Sequence, residues 1–244
     1  MKKHIDTRDA FFIGAVFVFA LLVNCLYFNW KAAPLLCSDS KGYIGLAQDM
    51  RNLRLPNFLS RGPSYPLYLF VFNVNIKLAA YFQVIIGAVT IALLYAIIVR
   101  ILRHRWLACL VSCFIALDFE PAAFQSYILT ETLSACIVLA SLYARLFFMR
   151  RKTGVLKIGA YLFLDLFLIF LKPSFVLLPF CYYMFEFAYR IFLRQREAPF
   201  VKDIWHIILC AAVVISVILG FCVLDYSRYG LFSFSVLGDI GKTK

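Results

Sequence analysis

The sequence predicts an all-α, polytopic membrane protein that crosses the bilayer about seven times, with amphipathic helices lying in the interface after the first span. Three observations carry this. Hydrophobic residues make up 64% of the 244 and aromatic residues 18%, and mean hydropathy is +0.85, which the surface of a soluble fold does not tolerate. The apolar residues form long runs without period-two alternation, which selects helices over a closed barrel, the other way to satisfy every backbone amide in hydrocarbon. The cations stand at the ends of those runs.

Seven apolar segments can be placed in order, at about 10–28, 78–99, 106–118, 124–148, 158–171, 174–192 and 204–224. The first comes after a basic start, Met1 to Asp9, as in a signal peptide. It is too long for one and lacks a small-residue cleavage site, so it is expected to be a retained span. The third and fifth are short, at about 13 or 14 residues, and are expected to be partly re-entrant or continued by the residues after them.

Orientation is set by the cations. An N-terminus in the cytoplasm puts Lys2, Lys3 and Arg8, then Arg100, Arg103 and Arg105, then Arg150, Arg151, Lys152 and Lys157, then Arg190, Arg194, Arg196 and Lys202 inside. Asp39, Asp49, Asp118, Glu120, Asp225 and Asp239 gather outside, and an odd number of spans leaves the tail 225–244 outside as well. The net charge of +12 is thereby explained by topology and calls for no nucleic-acid partner. Cysteines 109, 113, 136, 181 and 210 fall within spans and only Cys37 clearly within a loop, which is not a disulfide framework. The histidines His4, His104 and His206 lie off the outer loops, so no histidine-bound metal is expected there.

The outer segment 29–77 is long and holds Pro34, Pro56, Pro63 and Pro66. Tyr43, Leu46, Ala47 and Met50 recur at helical spacing from Asp39, so Asp39 to Met50 reads as an interfacial amphipathic helix, and Tyr65 to Asn73 as a second. Asp39, between Ser38 and Ser40, is either that helix's N-cap or a carboxylate presented at the lipid surface. Arg61 lies between proline-directed turns, as a surface cation or an anion ligand. Glu131 begins a span, where an ionised carboxylate needs a wet cavity or a partner. Lys172, before Pro173, is a snorkelling cation at a helix break, and Asp165 two turns below it reads as a buried partner within the bundle. Asp118 and Glu120 are the start of a divalent-cation site without further ligands; a solvated loop is the expectation there, and no metal or other cofactor is assigned. Residues 238–243 have a partial likeness to a phosphate loop, but Val236 replaces its first glycine.

The order of short motifs, Asp39-Ser40-x-x-Tyr43-x-x-x-Ala47, Arg61-x-Pro63-x-Tyr65-Pro66, Leu129-Thr130-Glu131-Thr132 and Lys172-Pro173-Ser174, resembles the GT-C superfamily of lipid-linked-sugar glycosyltransferases. The nearest branch in pattern is that of the dolichyl-phosphate-mannose protein mannosyltransferases and bacterial aminoarabinose transferases. The resemblance implies a single GT-C-like module over 1–244 and inverting transfer of a sugar from a polyprenyl- or dolichyl-phosphate donor to a lipid or protein acceptor on the extracytoplasmic face. It implies Asp39 as general base, Arg61, Lys172 and Arg228 as ligands of the donor phosphate, and Tyr43, Tyr65 and Glu131 as residues lining the site. Family members commonly carry arginine where Lys172 stands, and an Arg-Asn-Tyr-like stretch where this chain reads Asp225-Tyr226-Ser227-Arg228-Tyr229. They also continue with further spans, so a partner subunit or a truncated module is expected. The alternatives are a non-catalytic membrane subunit or lipid-binding protein of the same fold, and a secondary transporter. Against the transporter, Asp165 alone reads as lying at depth and no internal repeat is visible. The outer segments hold no Asn-x-Ser/Thr site, which favours a bacterial plasma membrane over the endoplasmic reticulum.

Overall fold

The computed structural model of the chain describes residues 7–30, 34–58, 61–148, 155–193 and 200–230. Lys2, Lys3, Arg150, Arg151, Lys152, Arg194, Arg196, Asp239 and the segment 238–243 lie outside the described residues, as do the side chains of Arg190 and Lys202. The described chain is helical: α1 (Thr7–Trp30), α2 (Ser38–Arg51), α3 (Ser64–Val71), α4 (Ile76–Leu102), α5 (Arg105–Ala116), α6 (Phe119–Ser126), α7 (Glu131–Phe148), α8 (Val155–Leu171), a 3₁₀ turn at Pro173–Phe175, α9 (Leu178–Leu193) and α10 (Phe200–Tyr229).

Among the described residues, α1, α4 and the Trp205–Arg228 part of α10 are long and apolar enough to cross a membrane. The pair α5 and α6, bent by 54°, makes a fourth if it is one span. The protein is therefore an integral membrane protein. The short third segment is continued after a bend. Its continuation, α6, takes residues that the sequence assigns to one run at 124–148, and that assignment is corrected: α7 begins only at Glu131. The break has a tertiary cause. Leu35 pairs with Tyr127 in an isolated parallel bridge, its N–H donating to the Ser126 carbonyl at 2.7 Å and its carbonyl accepting from the Ile128 N–H at 3.2 Å. Residues drawn into that pairing cannot also be helical.

The chain forms two compact units. Unit 1 comprises Met1–Leu55 and Tyr65–Tyr143. There α1 runs antiparallel to α4, Phe28 meeting Tyr81 at 4.9 Å between ring centroids and Phe12 stacking on Tyr95 at 6.3 Å. Between these contacts Ala20, Ala88, Ala108 and Ala116 share a core with Val16 and Ile91, and small side chains let three helix backbones approach. At Gly87 a Cβ would lie 2.4 Å from the Gln125 side chain, so the glycine admits α6 onto α4. In α2 the expected positions Tyr43, Leu46 and Ala47 are buried, together with Ser40, as the amphipathic spacing requires, while Met50 is half-buried.

Unit 2 comprises Pro56–Ser64 and Ala144–Lys244. Ile158 and Leu162 of α8 pack on Tyr183 of α9 and on Ile207 and Cys210 of α10, and further along Phe170 meets Phe221 at 5.3 Å. Helices α8 and α10 therefore run parallel. The segment before α3 is seated on the end of α8: Ser64 Oγ donates to the Phe167 carbonyl at 3.1 Å, and Gly62 lies so near the Phe170 carbonyl that a Cβ would sit 1.8 Å from its oxygen.

Gly62→Ala must move backbone and is expected to lower stability by about 1–3 kcal/mol. Gly45→Ala, where a Cβ meets nothing within 4 Å, is expected to be neutral or stabilising. Thermal unfolding of the two purified variants in detergent checks the contrast.

Candidate functional site

In unit 1 the residues of interest gather at the N-terminus of α2. The extended strand-like stretch through Leu35 delivers Cys37 as the N-cap, with φ −118° and ψ −180°. Asp39 is thus not the N-cap that its residue type suggests. It is the second residue of the helix, exposed, in the first turn, where the helix dipole stabilises a carboxylate. The Ser40 Oγ accepts from the Cys37 N–H at 3.1 Å and donates to the Ile128 carbonyl at 2.9 Å, so one hydroxyl both caps α2 and ties it to the start of α7. Burial by itself would raise the Cys37 thiol, but hydrogen bonds with the Ser40 side chain and with the Ser40 and Asp39 backbone bring it below its ordinary value.

Tyr43, one helical turn after Asp39, meets Tyr65 edge-on at 4.9 Å. The Tyr65 hydroxyl donates to Gln83 Oε1 at 2.6 Å, and Gln83 Nε2 donates to the Tyr127 carbonyl at 2.9 Å. Burial raises the Tyr65 phenol well above its usual range, with further contributions from Tyr68, Tyr43 and Glu131, so Tyr65 serves as a neutral hydrogen-bond donor. Glu131, the first residue of α7, is half-buried and within electrostatic reach of that hydroxyl. Tyr43 thus packs on Tyr65, whose hydroxyl is within electrostatic reach of Glu131, with Asp39 a turn before Tyr43.

In unit 2 three cations from separate segments stand at one end. Arg61 precedes Gly62, which abuts Phe170; Lys172 follows the end of α8 in an extended conformation, φ −148° and ψ 107°. Phe170 packs on Phe221, and Arg228 lies in the last turn of α10, beyond it in the direction shared by α8 and α10. Arg61 and Lys172 are half-buried and Arg228 is exposed.

Towards the opposite end of unit 2 lies a cluster that sequence reasoning found only in part. Asp165 is a buried partner, as expected: Arg145 Nη2 donates to its two oxygens at 2.9 and 2.7 Å, and the Tyr183 hydroxyl donates to Oδ2. The guanidinium lies over the rings of Tyr161 and Tyr182 at 4.6 and 4.5 Å. Asp165 is not alone at depth. Lys157, grouped by sequence with the inner-end cations, is buried against Glu186 Oε1 at 3.1 Å, and His206 Nε2 stands 3.5 Å from the same oxygen. All five are at most 4% exposed. Glu186 was the available signal, a lone acid inside the run 174–192.

Asp118 is the N-cap of α6, its Oδ1 accepting from the Glu120 N–H at 3.1 Å. Among the described residues no group of three or more His, Cys, Asp and Glu side chains could hold a metal, and all eight cysteines are free thiols.

Arg145→Met strands the Asp165 carboxylate in the interior and is expected to cost about 3–5 kcal/mol, whereas pairing it with Asp165→Leu recovers most of that loss. Thermal unfolding of the single and double variants in detergent reads the difference. Comparison with protein-family models, with curated proteins and with solved structures found no match for this chain.

Proposed function

We propose that this protein is a GT-C-like membrane glycosyltransferase that moves a sugar from a polyprenyl- or dolichyl-phosphate donor to a hydroxyl acceptor, with inversion at the anomeric carbon. The observation that carries the reading is the approach of Gly62 to Phe170, which puts Arg61 and Lys172 at the same end of α8, with Arg228 farther along the direction that α8 and α10 share; three positive side chains from three segments there suit a lipid phosphate. Support for a reacting carboxylate comes from α2, whose amphipathic face is buried while Asp39 is exposed on its first turn.

In this reading the Asp39 carboxylate accepts the proton of the acceptor hydroxyl as that oxygen attacks the anomeric carbon from the face opposite the phosphate. The glycosidic carbon–oxygen bond breaks, its electron pair leaves with the lipid phosphate, and the cations stabilise the charge that the phosphate gains. In the same reading Tyr43, Tyr65 and Glu131 line the acceptor side. The topology belonging to this proposal has seven crossings, with the bent pair α5–α6 and with α7, α8 and α9 joining α1, α4 and α10, the N-terminus in the cytoplasm and the Asp39 end outside, in a bacterial plasma membrane. The parallel course of α8 and α10 supports it, because alternate passes through a bilayer run the same way.

In membranes that transfer sugar from a polyprenyl-phosphate donor, Asp39→Asn is expected to lower turnover by about 10²–10⁴-fold with donor binding unchanged. Arg61→Gln is expected to weaken donor binding. Unchanged turnover in Asp39→Asn removes the base assignment, and glycolipid binding by the purified wild type without any transfer favours a non-catalytic lipid-binding subunit.

A further inference from the structure

We propose that the end of unit 1 formed by the start of α1 and the α4–α5 turn is a binding surface for anionic phospholipid headgroups. It brings together four arginines and one acid among the described residues. Arg8 lies at the start of α1, Arg100 in the last turn of α4, Arg103 in the turn and Arg105 at the first position of α5. Asp9, the acid, is engaged by Arg105, whose Nε donates to its Oδ1 at 2.5 Å. That pair locks α5 against α1 and leaves the surface strongly positive.

The ring of Trp106 meets Phe12 edge-on at 5.4 Å, yet the residue is 72% exposed. An exposed tryptophan beside cations where a long apolar helix ends is the side-chain chemistry of the headgroup layer. The turn itself points the same way. Arg103 is held left-handed at φ 56° to close α4, its N–H donating to the Val99 carbonyl at 3.0 Å, and its side chain is exposed. Glycine fits such a position without strain, so the chain maintains a guanidinium at the tip against its own backbone preference. His104 is used locally, its Nδ1 accepting from the Leu107 N–H at 3.1 Å. A lipid phosphate differs from a free anion in that its acyl chains lie along the exposed apolar side chains of Ile101 and Leu102, and this favours the lipid.

The test is lipid retention, measured by native mass spectrometry after purification from vesicles of phosphatidylcholine with 30% phosphatidylglycerol, roughly the anionic content at which polybasic segments bind. Wild type is compared with Arg8→Gln/Arg103→Gln, which spares the Asp9–Arg105 pair, and with Lys41→Gln/Lys77→Gln, which removes the same charge from exposed positions elsewhere in unit 1. The expected result is phosphatidylglycerol retained by wild type and by the lysine variant, with roughly tenfold weaker retention in the arginine variant and loss in all three at high salt. Equal retention in the arginine variant overturns the proposal, as does equal loss in the lysine variant. Millimolar inorganic phosphate that displaces phosphatidylglycerol stoichiometrically from the wild type would assign the surface to a free anion instead. A thermal unfolding midpoint unchanged in the arginine variant excludes misfolding as the cause of its loss.

Discussion

Four residues of non-helical backbone, Tyr127 to Thr130, decide the arrangement of unit 1. They interrupt apolar chain between α6 and α7, and backbone that leaves a helix near hydrocarbon must find partners elsewhere. Leu35 supplies a bridge to Ser126 and Ile128, Gln83 donates to Tyr127, and Ser40 donates to Ile128. Each partner belongs to a different element, so satisfying one break fixes α2 and α4 around it, and Tyr65 brings in α3 through Gln83. A buried carbonyl left without a donor costs about 1–3 kcal/mol, which makes these bonds more selective for position than the modest apolar face of α2. Asp39 owes its place to them. With Cys37 held extended by the neighbouring bridge, the helix starts where the carboxylate falls in the first turn.

Unit 2 is held by a different kind of constraint. Two buried ion pairs, Arg145 with Asp165 and Lys157 with Glu186, join α7 to α8 and α8 to α9, and His206 brings α10 to the second pair. Such pairs recover their desolvation cost only in good geometry, and apolar replacements of matched shape are often as stable. Their effect is on register. A helix that slides by one residue turns a charge away from its partner and into an apolar neighbour, a penalty that uniformly apolar helices do not impose on one another.

The sequence made some of this legible and hid the rest for identifiable reasons. Long apolar runs without alternation specify helices whatever their surroundings, so α1, α4 and α10 could be placed, and the 3.6-residue spacing of Tyr43, Leu46 and Ala47 gave α2 and its buried face. Asp165 could be read as a buried partner because a lone acid deep in an apolar run has few other fates. Its cation could not be found, since Arg145 and Lys157 stand near the ends of apolar runs, where a snorkelling side chain and a buried one have the same local pattern. The break before α7 was invisible for another reason. Ile128 and Leu129 are as apolar as their helical neighbours, and what draws the chain out of the helix there is Leu35, some ninety residues earlier. Tertiary pairing overrode local pattern there, as it did in giving the cap of α2 to Cys37 in place of Asp39, which has much the better intrinsic propensity for it.

In the proposed topology, with α8 as a span, the short helices of unit 2 bear on why the cations at the end of α8 would suit a lipid ligand. At 17 residues α8 spans about 25 Å, less than a hydrocarbon core of about 30 Å. A bilayer accommodates a short span by thinning around it or by letting flanking polar side chains reach for the headgroups. Under the proposed topology either response would bring Lys172, at the end of α8, to the depth of lipid phosphates without drawing the lipid out of its leaflet. Gly62 contributes to the same geometry, because a larger residue would lift Arg61 from the end of α8. A phosphate ligand on a soluble protein must be captured from bulk water, whereas in the proposed reading the bilayer would confine the carrier's headgroup to the layer where the cations end. Three partly hydrated cations, each of modest strength in that setting, would then meet an anion already confined to their layer.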